Sequence, residues 1–197
     1  MFRQAGSVFS FLTIIPAGSS DLQTIAKHMY LFPLIGIAIG LLLGAAGWGL
    51  SLFLEPLVVG LLVAAGLVLI TGIHHTDGLS DFADGLMVKG SREKKLEVMR
   101  DPKVGSAGIV AVIFYVAAAI ISLSLMKGFE LFYAILIAEV CAKFCMVLSA
   151  SIGPSAWQGS NSSFIESMKD KKKLAIAAAI MICTIAPFQN IAGFEAM

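Results

Sequence analysis

An all-α, multi-pass membrane bundle is the fold class this sequence predicts, and three observations predict it. The 197 residues are 58% hydrophobic with a mean hydropathy of +0.89, far more apolar than a water-soluble domain of ordinary composition. The apolar residues gather into windows of about 20, the length that crosses a bilayer. The 14 Lys and Arg residues segregate into alternate connecting segments, as they do in polytopic membrane proteins.

About five spans follow from the windows. The first apolar piece, 5–16, is too short to cross and predicts a helix that lies in the interface or re-enters. Arg3 is its only flanking charge and no A-x-A pattern follows, so cleavage as a signal peptide is not expected. Spans follow at 30–54 and 56–73. The first of them carries Gly36, Gly40, Gly44, Ala45, Ala46 and Gly49, a small-residue stripe along which a neighbouring helix can come close. Further spans are expected at 107–126, 131–151 and 174–194. In the fourth span Glu139 and Lys143 stand four residues apart and can pair, either for mutual neutralisation or for function. Cys141, Cys145 and Cys183 fall inside spans with no C-x-x-C and no nearby histidine, which makes them packing residues rather than a disulfide or zinc set.

The basic residues set the orientation. Arg3 and Lys27 precede the first span, Lys89, Arg92, Lys94, Lys95, Arg100 and Lys103 lie between the second and third, and Lys169, Lys171, Lys172 and Lys173 precede the last. Lys127 alone falls in the opposite connections. The positive-inside rule places the N-terminus and both long loops in the cytoplasm of a cell-membrane protein. No repeat or composition shift divides the chain, so 1–197 reads as one integral membrane domain. A net charge of +1 identifies no partner; membrane lipid is expected around the bundle, nucleic acid is not, and oligomerisation is left open.

Chemistry concentrates in 74–106, the largest connection and the expected catalytic loop. HHTDGLSDFADG (74–85) holds three aspartates and two histidines where the second span ends. As a helix from Asp77 to Met87, it sets Asp77, Asp81 and Asp84 at i, i+4 and i+7 in one narrow sector, with Leu79, Phe82 and Leu86 opposite. Three carboxylates that close repel one another, and a divalent cation between them is the usual remedy. Oxygen-only ligands favour Mg²⁺ or Mn²⁺ over zinc. An amphipathic surface helix with merely solvated acids is the alternative reading of that spacing.

A second short helix is expected from Ser91, its N-cap, to Arg100, stopped by Asp101 and Pro102. Then Gly105, Ser106 and Gly108 lead into the third span, where unpaired backbone N–H groups at a helix start suit a phosphate; a plain Ser106 cap with glycines for packing explains them equally. The other long loop, 152–173, with Gly153, Pro154, Trp157, Gln158 and Gly159, reads as ordered structure over the bundle.

HHTDGLSDFADG followed by REKKLEVMRDPKVGSAG resembles the signature of the cobalamin 5′-phosphate synthase (adenosylcobinamide-GDP ribazoletransferase) family. Weaker resemblance extends through FLTIIP (11–16) and YLFPLIGIAIG (30–40). The resemblance implies a multi-pass membrane enzyme acting late in cobalamin assembly. Such an enzyme joins GDP-activated adenosylcobinamide to α-ribazole or its 5′-phosphate, releases GMP, and requires Mg²⁺. That is phosphoryl transfer in type, where cations neutralise charge on the nonbridging oxygens. On this reading Asp77, Asp81 and Asp84 hold the metal, and Asp101 adds a ligand or orients the nucleophile. His74 or His75 takes the hydroxyl proton or bonds a carboxylate. Lys89, Arg92, Arg100 and Lys103 clamp phosphate, Arg100 and Lys103 foremost because they flank Asp101. Two departures stand out. Ile14 occupies the place of Arg in the family's T-R-I-P pattern, and the glycine-rich G-G-x-T-G-D segment of the family's further helices is not in these residues, so a C-terminally truncated member is expected.

Two other functions compete. CDP-alcohol phosphotransferases also use membrane aspartates and Mg²⁺, but their D-G-x-x-A-R pattern fails here beyond Asp77 and Gly78. A divalent-cation transporter would use Asp77, Asp81, Asp84 and Glu139 as an ion path, yet these acids cluster in a loop rather than at mid-membrane depth.

Overall fold

The computed structural model describes residues 2–18, 21–155 and 159–188. Within them the chain forms helices α1 (Phe2–Leu12), α2 (Leu22–Lys27), α3 (Phe32–Leu50), α4 (Pro56–Ile70), α5 (His74–Met87), α6 (Arg92–Val98), α7 (Ser106–Ser124), α8 (Gly128–Ile152), α9 (Ser160–Met168) and α10 (Lys171–Ile185). Among the described residues there is no strand, and the expected all-α membrane bundle is what forms.

The centre is the crossing of α3 on α8. Between helices in lipid there is little hydrophobic drive, so close packing supplies the attraction and small residues permit it. A Cβ on Gly36 would meet the Glu139 carbonyl oxygen at 2.7 Å, one on Gly40 the Leu136 Cα at 2.7 Å, and one on Gly44 the Phe132 carbonyl oxygen at 2.9 Å. The expected glycine stripe is therefore real, though Gly49 faces open space and Gly47 packs on Val63 of α4 and Ile135 of α8. Phe32, Ile35, Ile39, Leu131, Ile135 and Val147 fill this core. Helix α7 packs on α4, where Gly60 abuts the Ile120 carbonyl, yet only 6% of its most apolar stretch is buried. A helix that apolar and that exposed belongs in lipid.

Among the described residues three helices are long and apolar enough to cross a membrane: Met29–Leu50 with its leading turn, Ser106–Ser124 and Gly128–Ile152. The expected second span corrects to something shorter. Helix α4 has 15 residues, and together with α5 it makes a fourth candidate bent by 91°. Thr71 and Gly72 make the bend: Gly72 has φ +68°, a conformation that suits glycine, and Thr71 Oγ1 donates back to the Leu67 carbonyl at 2.7 Å. The expected fifth span falls on α10, whose 15 residues are too few to count as a span, while 189–194 lie outside the described residues, as do Trp157 and Gln158 of the long loop. Helix α1 is not a detached interfacial piece: Val8 and Leu12 enter the core, and the Ile14 N–H donates to the Ile70 carbonyl at 2.8 Å just before the bend.

Candidate active site

The motif helix α5 starts at His74, three residues earlier than expected, and turns away from α4 to run along the end of the bundle. It buries the face opposite to the one its apolar residues suggest. Ser80, Asp84 and Gly85 are buried, whereas Phe82, Leu86 and Met87 are exposed. The reason is the start of α7. Gly105, its N-cap, carries no side chain to accept the first free N–H groups, so an acceptor must come from elsewhere. Asp84 supplies it: Oδ2 accepts from the Gly105 N–H at 2.7 Å and Oδ1 from the Gly108 N–H at 2.9 Å. An anion at a helix N-terminus is further favoured by the helix dipole. Cβ atoms at Gly105 and Gly108 would collide with the Asp84 carboxylate, and at Gly108 also with Ser80 Oγ, so both glycines are required by this approach.

The phosphate-ready amides expected at Gly105 and Gly108 thus already hold an anion, the chain's own. Ser106 between them is exposed. Asp84 accordingly has a structural partner that the spacing of the acids did not disclose. A helix start lacking Ser, Thr, Asp or Asn at its N-cap was the signal for it.

Asp77 and Asp81 stay on the open side of α5, exposed and half-exposed. Burial, followed by the charges of Asp77 and Asp84, pushes the Asp81 carboxyl above its ordinary range. Among the described residues no three His, Cys, Asp or Glu side chains converge to hold a metal ion by themselves. The donor set still fits Mg²⁺, which binds through one or two carboxylates and fills its shell with water and substrate phosphate oxygens. Asp77 and Asp81, on the open face, are the carboxylates that would hold it.

His74 and His75 open α5 under the bend, both of them exposed. Both line a cavity of about 540 Å³ with Thr71, Phe11 and Met146. His75 also lines a smaller one of about 120 Å³, together with Thr71, Tyr115, Glu139 and Lys143. The expected Glu139–Lys143 pair forms, with Lys143 Nζ 3.1 Å from Glu139 Oε2 and both side chains largely buried. Partial desolvation and then the Lys143 charge hold the His75 imidazole below its ordinary range, with Glu139 opposing.

The basic groups sit on α6 and beyond it. Ser91 caps α6 as expected, accepting from the Lys94 N–H at 3.3 Å. Asp101 Oδ1 accepts from the Lys103 N–H at 3.0 Å, a turn around Pro102. Lys103 is two residues from Gly105 and so lies close to the clip on Asp84. Arg100 and Asp101 line a shallow cleft with Glu93, Leu96 and Glu97. Lys89 and Arg92, exposed, flank the turn between α5 and α6.

The family described as cobalamin-5-phosphate synthase matches residues 4–196. The chain is 36% identical over 176 residues to an adenosylcobinamide-GDP ribazoletransferase of Methanocella arvoryzae, covering 86% of this chain and 65% of that protein. It is 33% identical over 181 residues to the Pyrococcus abyssi protein of the same name, covering 92% and 73%. A Geotalea daltonii relative of that name is 40% identical over 116 residues, covering 57% and 47%. The chain thus spans about two thirds of the length of the first of these. No solved structure matches. A match across nearly the whole chain, with the aspartate helix at its centre, makes this chain a member of the cobalamin-5-phosphate synthase family.

Proposed function

We propose that the chain joins GDP-activated adenosylcobinamide to α-ribazole or its 5′-phosphate and releases GMP, a late step of cobalamin assembly. The observation that carries this reading is the open acid face of α5, Asp77 and Asp81, beside a cavity lined by His74 and His75. The names of the relatives supply the two substrates.

In this reaction a ribose hydroxyl attacks the phosphorus on the cobinamide side of the diphosphate. A new P–O bond forms, the bond to the guanosine phosphate breaks, and the hydroxyl proton leaves. Mg²⁺ held by Asp77 and Asp81 would supply charge neutralisation on the diphosphate oxygens. His75, which lines the cavity and whose imidazole is held below its ordinary range, takes the proton in this reading; His74 beside it is the alternative. Arg100, Lys103 and Ser106, with Lys89 and Arg92 further out, pair with phosphate oxygens as charge develops on the leaving group. Asp101 orients this basic segment through its bond to the Lys103 N–H. Asp84 fixes α5 to α7 and so sets the distance between the acid face and the basic segment. In this reading the end of the bundle that carries the basic connections faces the cytoplasm, as the positive-inside rule supports.

The test is GMP release by the purified chain from adenosylcobinamide-GDP, with each acceptor in turn. Release that needs both acceptor and Mg²⁺ is expected. No release with either acceptor, from folded protein, would reject the reading.

A further inference from the structure

A second cavity, of about 280 Å³, lies where α1, α3, α8 and α9 meet. Its walls include Phe11, Phe32 and Phe164, with Met146, and with Ser149 and Asn161 as hydrogen-bonding groups. The three rings form a cluster: Phe11 and Phe164 stack with centroids 5.4 Å apart, Phe11 and Phe32 are 6.1 Å apart, and Phe32 meets Phe164 edge-on at 6.3 Å. Phe32 and Phe164 are buried in the core, whereas Phe11 is 42% exposed at the margin. Phe11 and Met146 also line the cavity that holds His74 and His75, so the two spaces share a wall. The two lesser segments of family resemblance, 11–16 and 30–40, contribute Phe11 and Phe32.

We infer that this aromatic slot binds the planar base of the acceptor nucleoside and directs its ribose toward the histidines. The inference rests on the proposed reaction and names where its acceptor sits. Ribazole carries a bicyclic benzimidazole, a flat apolar ring with a nitrogen acceptor. Aromatic rings and a thioether suit its faces, and the Asn161 amide or the Ser149 hydroxyl can donate to its nitrogen. A lipid chain would gain nothing from either polar group. The reach is also right. Along α8 from Ala150, at the slot, to Lys143, beside His75, is seven residues, roughly 10 Å of helix axis. That is comparable to a nucleoside from the outer edge of its base to its ribose hydroxyl.

Equilibrium dialysis of the full chain against α-ribazole, free dimethylbenzimidazole and a fatty acid tests this, alongside the KM for each substrate in GMP release. Phe11→Leu should weaken nucleoside and free base by about tenfold, in line with base–aromatic stacking. It should raise the KM for α-ribazole without moving that for adenosylcobinamide-GDP. Phe11→Tyr should restore both, and Phe164→Leu, accepted only if its melting temperature is near wild type, should repeat the loss. Nucleoside binding unchanged in both leucine variants would overturn the slot while leaving the proposed reaction standing. A fatty acid that binds wild type, displaces the nucleoside and is lost in Phe11→Leu would make the slot a lipid site and overturn it. Absence of any nucleoside binding by the wild type would end the slot, and absence of GMP release separately would end the reaction.

Discussion

Replacing Asp84 with alanine removes the acceptor of two backbone N–H groups at once, those of Gly105 and Gly108. A hydrogen bond to an ionised partner contributes roughly 1.5–3 kcal/mol. Gly108 is buried and Gly105 half-buried, so water replaces the carboxylate only in part, and the expected loss is about 3–5 kcal/mol. For a chain of this size each kcal/mol moves the melting temperature by about 2–4 °C, so Asp84→Ala should melt roughly 6–20 °C lower. Asp84→Asn is the sharper variant. Its amide oxygen accepts one N–H while its NH₂ group meets the other donor, so it should lose about half as much. Unfolding of both variants and of Asp81→Asn would be followed in one detergent. Asp81→Asn is expected near wild type, Asp84→Asn lower and Asp84→Ala lowest. Unchanged melting in both Asp84 variants, with GMP release lost, would refute the clip and return Asp84 to the metal-holding set.

Asp81→Asn should abolish GMP release while keeping the fold, and chelation by EDTA should do the same reversibly; release that survives either would reject the metal assignment. The Asp81 carboxyl is raised in the fold, so its ionised form subtracts from stability at neutral pH, and the deficit disappears as pH falls through its titration. Asp81→Asn should therefore melt at or slightly above wild type at pH 7, with the gap closing toward acid; a markedly lower melting point would contradict the crowding. Gly36→Ala sets a methyl 2.7 Å from the Glu139 carbonyl oxygen and 3.0 Å from the Val140 Cα, and should cost about 1–3 kcal/mol as α3 and α8 part. Gly49→Ala, facing open space, is the control and should stay within about 0.5 kcal/mol. Lys143→Met strands a buried Glu139 and should cost about 3–5 kcal/mol, most of it recovered when Glu139→Gln is added. A double variant no more stable than the single would show that the pair is not what holds α8 there.

Much of the bundle is legible in the sequence because lipid makes few demands: length, apolar content and small residues at a fixed step. Gly36, Gly40 and Gly44 announce the α3–α8 crossing, and Glu139 and Lys143 announce their own pairing. The acid face of α5 is legible in the same way, from spacing alone. Its buried face is not. Leu79, Phe82 and Leu86 look like the inward stripe, yet the start of α7 needs an anion, and that demand turns Ser80 and Asp84 inward instead. Helix periodicity gives the faces of a segment but not which neighbour claims which. The length of α4 misleads for a related reason: the apolar run continues through Ile73, but the left-handed Gly72 ends the helix first. The aromatic slot is out of reach of any local pattern, since Phe11, Phe32 and Phe164 meet only once α1, α3 and α9 have packed on α8.

At 1.5 Å per residue the 15 residues of α4 measure roughly 22 Å, against a hydrocarbon thickness of about 30 Å. A mismatch of that sign thins the surrounding bilayer. With α4 as the spanning part of the bent pair, a bilayer thinned around it would bring the start of α5 deeper than the headgroups elsewhere.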